Sequence, residues 1–229
     1  MAKGKLQNKT GTSKVKILIV DDYPIIREGL TQLINHEDDL VVCAQAENAH
    51  QALLAINRAK PDMAVVDISL KDRSGLELIK DIKAQYPDLA VLALSMYDES
   101  LYAERALRAG AKGYIMKAEA TENVVKAIRQ ILAGRIYLSD KMTAKMMNKL
   151  AGHKVDASSS PVDRLSDREL EVFTMLGQGT GTRQIAEKLY LSVKTIETYR
   201  AHIKEKLDLA DAEELRTYSI QWVSSRGEG

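Results

Sequence analysis

The sequence predicts two domains, an α/β domain built on a parallel sheet and, after it, a smaller domain of four short helices. Short apolar runs alternate with segments of helical spacing up to about residue 133. A small, polar stretch that ends at Pro161 follows them, and beyond it the apolar residues keep helical spacing. The 229 residues are enough for two domains of modest size.

Five apolar runs in the first part have the length and composition of strands that are buried on both faces. They are rich in Val, Ile and Leu, and they read VKILIV, LVVCAQA, MAVVDI, AVLALSM and GYIMK. Amphipathic segments separate them, with one apolar stripe at Ala49, Ala52, Leu53 and Ile56. This alternation indicates a parallel sheet with helices on both faces. Right-handed crossovers place all the strand carboxyl ends at one edge, but they leave the strand order open.

The composition is that of a globular protein, with 45% hydrophobic residues, 28% charged residues and a net charge of +1. No apolar run approaches the ~18 residues of a membrane span, and the N-terminal residues lack the apolar stretch of a signal peptide. Cys43 is the single cysteine and lies in an apolar run, as expected of a buried thiol in a reducing compartment. We therefore expect a cytoplasmic protein that needs no membrane. No segment is basic enough to predict nucleic-acid binding from charge alone.

The predicted connection between the domains spans residues 136–161. Ser139 to Leu150 could form a short helix, whereas GHKVDASSSP is small, polar and ends in proline, which is typical of a flexible linker. The predicted boundaries are therefore 14–135 for the first domain and 162–227 for the second.

The second domain begins with strong helix-capping signals in LSDREL. Ser166 can cap a helix, Glu169 can complete a capping box, and Leu165 can pack against Leu170. The apolar spacing then predicts four helices, at 168–177, 182–189, 193–207 and 211–223.

Polar residues stand where the predicted strands end: Asp21 and Asp22 after the first, Asp67 on the third, Ser95 on the fourth and Lys117 on the fifth. We expect all of them to converge at one sheet edge. Three carboxylates so close together repel, and each close pair costs on the order of a few kcal/mol at an effective dielectric near 20. Lys117 and a hard divalent cation such as Mg²⁺ would offset that repulsion.

Such a site suits phosphoryl transfer to a carboxylate. Asp67 is the best candidate nucleophile, because Asp21 and Asp22 are adjacent and better suited to holding a metal. Ser95 would bond a phosphoryl oxygen, and roughly two added negative charges would draw Ser95 and Lys117 inward, as in a switch. The simpler alternative is a set of solvated polar residues at strand ends, which the matching positions of all five residues disfavour.

Four motifs cover most of residues 15–135, and they read VDD at 20–22, DISLKDRSGLEL at 67–78, LSMYDES at 94–100 and AGAKGYIMK at 109–117. Together they resemble the receiver domain of bacterial two-component response regulators. The resemblance implies a flavodoxin-like sheet of strand order 2-1-3-4-5. It also implies a set of functional residues: Asp67 as phospho-acceptor, Asp21, Asp22, Asp67 and the Ser69 carbonyl as Mg²⁺ ligands, Ser95 and Tyr114 as switch residues, and Lys117 as phosphate partner.

Two positions depart from the pattern of that family. Lys71 stands where the family often has proline, and this difference is expected to alter the conformation of the loop beside the site. Ala118 follows Lys117 where the family often has proline as well. This difference is expected to change the final turn rather than the chemistry of the site.

The helix predicted at 193–207 follows a three-residue break after a short supporting helix, a pair that fits the DNA major groove. Ile196, Tyr199, Ile203 and Leu207 would form its buried stripe. Residues 192–206 carry four cationic and two anionic side chains, which is a modest basic patch.

The motifs LSDREL, IAEKL and LSVKTIETYRAHIKEKL resemble the LuxR/NarL/FixJ type of helix-turn-helix domain. The geometry of that family would put Glu197, Thr198 and Ala201 at base edges and Lys194, Arg200 and Lys206 near phosphates, with Thr195 in the same DNA-binding set. Tyr190 stands where older helix-turn-helix patterns have glycine. The alternative is a solvated helical face in a protein-binding module.

These features predict a response regulator that a sensor histidine kinase phosphorylates on Asp67, which switches binding to double-stranded DNA by a homodimer. Apart from its own phosphorylation and dephosphorylation, we expect no enzymatic activity. One alternative is an aspartyl-phosphate phosphatase of the haloacid dehalogenase type, although such enzymes place a D-x-D nucleophile on the first strand. Another is a receiver that signals by protein contact without phosphate.

Overall fold

The computed structural model describes residues 14–71, 73–151 and 161–227. Its first part is a five-stranded sheet of order β2-β1-β3-β4-β5 in which the paired strands are parallel. The strands are β1 (Val15–Val20), β2 (Leu40–Ala46), β3 (Met63–Asp67), β4 (Ala90–Ser95) and β5 (Gly113–Met116). The helices that connect and follow them are α1 (Pro24–Asn35), α2 (Ala49–Ala59), α3 (Gly75–Gln85), α4 (Glu99–Ala109) and α5 (Ala120–Leu132). The predicted fold class and the strand order implied by the resemblance are both confirmed.

Helices cover both faces of this sheet, which explains why its strands lack an alternating polar pattern. In β1, Leu18 and Val20 pack in the core beneath α2, α3 and α4, whereas Ile17 and Ile19 pack beneath α1 and α5. Both faces are therefore apolar, as a doubly covered parallel sheet requires.

The strand register brings the polar strand ends to the same edge. Val20 pairs with Val66, Asp67 with Leu94, and Ser95 with Met116. The strands β1, β3, β4 and β5 therefore end at the same edge of the sheet. Asp21 directly follows β1 there, and Lys117 directly follows β5.

The segment after α5 covers the open edge of β5. Tyr137 forms an isolated bridge with Gly113, and backbone hydrogen bonds join Tyr137 to Lys112 and Tyr114. Ser139 then caps α6 (Asp140–Leu150), which packs on α4. The rest of the predicted linker, 152–160, lies outside the described residues.

The second part consists of α7 (Asp167–Gly177), α8 (Thr182–Lys188), α9 (Val193–Leu207) and α10 (Ala212–Gly227), preceded by a short 3-10 helix at Pro161–Arg164. The predicted capping box forms, since Ser166 accepts from the Glu169 N–H and Glu169 accepts from the Ser166 N–H. Phe173 packs on the ring of Trp222 in the core of this part. In the described ranges, no helix is both long and apolar enough to cross a membrane.

Candidate functional site

Three buried carboxylates meet at the sheet edge. Asp21, Asp22 and Asp67 each offer an oxygen within 4.8 Å of the others, and their residues are at most 4% exposed. Burial raises the pKa of Asp67 to about 7, and the nearby charge of Asp21 adds to that shift. Burial likewise raises the pKa of Asp22, again with a contribution from Asp21. The mutual repulsion of these carboxylates therefore agrees with the prediction made from their positions at the strand ends.

Lys117 offsets part of this charge from the end of β5. Its Nζ lies 2.7 Å from Asp21 Oδ2 and 2.8 Å from Asp67 Oδ2, and its side chain is 5% exposed. Burial alone would lower the pKa of Lys117, but the two carboxylates outweigh it and the pKa is raised. Lys117 is therefore a buried cation that bridges β1 and β3.

The donor set fits a hard divalent cation. Asp22 Oδ1 is buried and accepts no hydrogen bond from the described residues, so it is an orphaned acceptor that faces two further carboxylates. Mg²⁺ takes such carboxylate oxygens together with water. The Ser69 N–H donates to Asp67 Oδ1 at 3.1 Å, which places the β3–α3 loop beside the acceptor. The role of the Ser69 carbonyl as a ligand stays a prediction.

Ser95 and Tyr114 are both linked to the backbone of Tyr97, in the β4–α4 loop. Ser95 Oγ accepts from the Tyr97 N–H at 3.0 Å, and Tyr114 Oη donates to the Tyr97 carbonyl at 2.7 Å. Both side chains are buried, and Tyr114 is 1% exposed. A shift of Ser95 toward Asp67 would therefore be transmitted directly to Tyr97.

Lys71 lies at the mouth of the acidic cluster. Its Nζ is 3.6 Å from Asp22 Oδ2 and 4.5 Å from the ring centroid of Tyr190, in the turn between α8 and α9. The same Nζ is 5.7 Å from the ring centroid of Tyr23, which follows Asp22. The site thus carries a second lysine, which contacts the helix-turn-helix part.

The first helix of the second part packs directly on the loops of the acidic cluster. Tyr97 Oη donates to Glu171 Oε1 at 3.2 Å, and Arg168 donates to the Leu70 carbonyl at 2.9 Å. Arg168 and Glu171 also form an ion pair in which both side chains are at most 8% exposed. Burial raises the pKa of Glu171, which Arg168 opposes. The loops after β3 and β4 are therefore joined to α7 by a buried charged pair.

The rim of this contact is polar and includes α4 and α3. Arg105 donates to the carbonyls of Leu165 and Val162 at 2.8 and 3.2 Å. Asp167 pairs with Arg105 at 3.2 Å and with Lys80 at 2.9 Å. These bonds fix the orientation of the start of α7 against the receiver-like part.

Replacing Arg168 with alanine should separate the two parts. Loss of one partner leaves Glu171 as an uncompensated buried charge, which costs about 3–5 kcal/mol, whereas separation returns it to water. Small-angle X-ray scattering should therefore give a larger radius of gyration for Arg168→Ala than for the wild type. Arg164→Ala, at an exposed arginine nearby, is the matched control. An unchanged scattering curve for Arg168→Ala would show that the pair does not hold this contact.

The predicted DNA-contacting residues all lie on α9. Lys194, Glu197, Thr198 and Ala201 are exposed, and the receiver-like part does not cover them. Thr195 bonds the capping residue Ser192 through its hydroxyl.

Two of the residues that are predicted to contact DNA phosphates already bond side chains within the helical part. Arg200 donates to Thr182 and Glu197 at 2.7 and 2.8 Å, and Lys206 pairs with Glu169 at 2.6 Å. They would have to exchange these partners to reach phosphates. In the buried stripe predicted for this helix, Ile196 and Ile203 are fully buried, and Tyr199 and Leu207 are partly buried.

Three functional candidates had no feature in the linear sequence that marked them as functional. Lys71 stands out only as a missing proline, and Arg168 and Glu171 look like an ordinary solvated pair three residues apart on a helix. Their burial arises only when α7 packs on the other part. A sequence pattern within one helix carries no information on that packing.

Comparison with known proteins matches both parts. The model "Response regulator receiver domain" matches residues 17–129, and "Bacterial regulatory proteins, luxR family" matches residues 163–219. The chain is 36% identical over 211 residues to "Oxygen regulatory protein NreC" from Staphylococcus haemolyticus and from Staphylococcus carnosus, covering 90% of this chain and 97% of each relative.

Solved structures show the same architecture. A LuxR-family two-component response regulator from Aurantimonas is 32% identical, with a TM-score of 0.56, and the match covers 61% of this chain and 99% of that one. RcsB from Salmonella enterica, solved on promoter rprA with the phosphomimetic BeF3⁻, has a TM-score of 0.58 at 24% identity, covering 90% of this chain and 98% of that one. At that identity the likeness shows the fold alone. The chain belongs to the response regulators in which a receiver domain is followed by a LuxR-type DNA-binding domain.

Proposed function

We propose that a sensor histidine kinase phosphorylates this response regulator on Asp67 in a Mg²⁺-dependent reaction. We further propose that this step switches sequence-specific DNA binding and so regulates transcription. The observation that carries the proposal is the Lys117 ammonium, which bridges Asp67 and Asp21 at 2.8 and 2.7 Å beside the orphaned Asp22 oxygen. An acceptor carboxylate, a cation and a metal-ligand set then lie within one buried pocket.

The chemistry is an in-line displacement at phosphorus. A carboxylate oxygen of Asp67 forms the new P–O bond while the P–N bond of a phosphohistidine breaks, and the imidazole leaves with the electron pair of that bond. Lys117 lies where it can neutralise the transferred phosphoryl oxygens. Asp21, Asp22, Asp67 and the Ser69 carbonyl would hold Mg²⁺, which when bound supplies further charge compensation at those oxygens. Ser95 would bond one phosphoryl oxygen.

The contacts of α7 support a direct route from the pocket to the DNA-binding domain. Ser95 and Tyr114 both bond the Tyr97 backbone, and the Tyr97 hydroxyl donates to Glu171. Movement of Ser95 toward a phosphoryl group would disturb this chain. The closed contact and a separated form would then be the two states whose populations phosphorylation shifts.

The functional units of this proposal are residues 14–135, 136–161 and 162–227, as receiver, linker and DNA-binding domain. A homodimer of the phosphorylated chain would read two half-sites of double-stranded DNA. The exposed part of α9 would enter the major groove, with Glu197, Thr198 and Ala201 at base edges. Lys194, Arg200 and Lys206 would contact phosphates, and Thr195 belongs to the same DNA-binding set. RcsB, which shares the fold, was solved on promoter DNA.

Selection from a random DNA library tests the whole proposal. The full chain is incubated with the library with and without acetyl phosphate and Mg²⁺, and the bound DNA is sequenced. We expect one motif of paired half-sites that is enriched more strongly after phosphorylation. A motif of equal enrichment in both conditions would contradict the switch, and no enrichment in either would contradict DNA recognition.

A further inference from the structure

A second lysine of the pocket contacts both domains. Lys71 Nζ lies 3.6 Å from Asp22 Oδ2, on the receiver, and 4.5 Å from the ring centroid of Tyr190, on the DNA-binding domain. Its side chain is 39% exposed, so it sits at the rim of the pocket rather than inside it. It belongs to the loop after β3 that also carries Ser69.

The charges around Asp22 make the position of the Lys71 ammonium important for metal binding. Lys117 pairs with Asp21 and Asp67, whereas Asp22 pairs with Lys71. A separation of 3.6 Å is longer than a charge-assisted hydrogen bond, so the pair is loose. A divalent cation on Asp22 would repel the Lys71 ammonium, since the two like charges would lie a few Å apart, and the partial exposure of Lys71 would weaken that repulsion without removing it.

Tyr190 is the other partner of Lys71. Its backbone is in the left-handed region at φ 53°, and the residue is 57% exposed, so Lys71 covers only part of it. It precedes Ser192, the capping residue of α9, by two positions. The placement of this ring is therefore tied to the start of the helix that carries the DNA-binding face.

Given the Mg²⁺ site of the proposed function, we propose that Lys71 is a positioning residue. It couples metal binding at Asp22 to the docking of Tyr190 on the receiver. The Lys71 ammonium offsets the charge of Asp22 and contacts the Tyr190 ring at the same time. A cation bound at Asp22 repels the ammonium, and the contact between Lys71 and Tyr190 is then lost. Because binding linkage is reciprocal, undocking Tyr190 lets Lys71 move away and strengthens Mg²⁺ binding.

Isothermal titration of the full chain with Mg²⁺ alone, without a phosphoryl donor, tests the coupling. We expect Lys71→Gln to bind Mg²⁺ about 3- to 10-fold more tightly, as the loss of one partly exposed neighbouring charge permits. Tyr190→Ala should bind it about 2- to 5-fold more tightly, and the double variant no more tightly than Lys71→Gln, because both act through one contact. Tyr190→Phe keeps the ring but removes the hydroxyl that also bonds Lys71, and its affinity should lie between those of the wild type and Tyr190→Ala.

Two controls separate this coupling from general charge effects. Lys126→Gln removes a charge from an exposed lysine on α5 and should leave the Mg²⁺ affinity unchanged, whereas Asp22→Ala should weaken it strongly. The coupling is refuted if Tyr190→Ala binds Mg²⁺ like the wild type, if the two substitutions are additive, or if Lys126→Gln has the effect of Lys71→Gln. Acetyl phosphate labelling of each variant is read in parallel. Failure of the coupling with labelling intact leaves the proposed function standing, whereas wild-type protein that takes no label contradicts that function itself.

Discussion

Asp67→Ala is expected to reduce covalent phosphorylation by acetyl phosphate to background, as read by the loss of the shifted band on a Phos-tag gel. Asp67 is fully buried, its Oδ2 is bound by Lys117 at 2.8 Å, and its Oδ1 accepts from the Ser69 N–H. Asp21 is also fully buried, pairs with Lys117 at 2.7 Å and accepts from the Tyr23 N–H at 2.9 Å. Alanine at position 67 therefore distinguishes the proposed acceptor from Asp21, which should remain unlabelled.

The matched control is Asp88→Ala. Asp88 is an exposed aspartate that precedes β4, at the opposite end of the strands from the pocket, and its replacement should leave the gel shift unchanged. A shift that persists in Asp67→Ala would remove Asp67 from the role of acceptor. Loss of the shift should be accompanied by loss of the phosphorylation-dependent enrichment in the DNA selection.

Asp67→Asn should raise the thermal stability, and more at pH 8 than at pH 5, in a chelating buffer. Burial raises the pKa of Asp67 to about 7, so the folded chain binds more protons than the unfolded chain between its ordinary value and that pKa. The stability of the wild type therefore falls as the pH rises through this window. Removing the titration should therefore raise the melting temperature by more at pH 8, where wild-type Asp67 must be ionised in the folded chain, than at pH 5. An equal gain at both values would mean that Asp67 does not titrate in this range.

Gly75→Ala should both destabilise the receiver and slow phosphorylation. A Cβ built on Gly75 would lie 1.9 Å from the Asp67 carbonyl oxygen and 2.7 Å from the Ile68 Cα, so the backbone that carries the acceptor must move. Overpacking of this kind costs about 3 kcal/mol, or roughly 10 °C in melting temperature. A displacement of about 1 Å at Asp67 would lower the labelling rate about 100-fold. Thermal melts and the initial rate of Phos-tag labelling at 10 °C below the melting point of the variant measure the two effects.

Gly29→Ala is the internal control for that substitution. Gly29 is exposed on α1, and a Cβ there would meet no atom within 4 Å. Alanine should therefore stabilise that helix by about 0.5–1 kcal/mol through its higher helix propensity. A melting temperature for Gly75→Ala equal to that of Gly29→Ala would show that the β3–α3 loop can yield without cost.

The fold was largely predictable, because burial of a parallel sheet on both faces leaves continuous apolar runs in the sequence. VKILIV and LVVCAQA form β1 and β2 with the predicted limits, and VKTIETYRAHIKEKL forms α9 with its predicted limits. The last strand residues differ by one in three cases, since Ile68, Met96 and Lys117 have already left the sheet. The final helix runs beyond the predicted Val223 to Gly227.

The sequence by itself determined which charged side chains meet at the sheet edge of the receiver domain. Asp21, Asp22 and Asp67 stand at strand ends, and parallel strands must share the edge at which they end. That topological rule, and not any distance along the chain, brings residues 46 positions apart into one cluster. A lysine after the last strand completes the cluster for the same reason.

Only the tertiary structure decided which side chains join the acidic pocket to the DNA-binding domain. Arg168 and Glu171 become a buried pair because α7 packs on the loops of the pocket, and Lys71 lies beside Asp22 and Tyr190 because two domains meet there. Helical periodicity specifies the face that a helix buries within its own domain. It does not specify which polar side chains a second domain will cover, since their charges are equally compatible with solvent until the two surfaces meet.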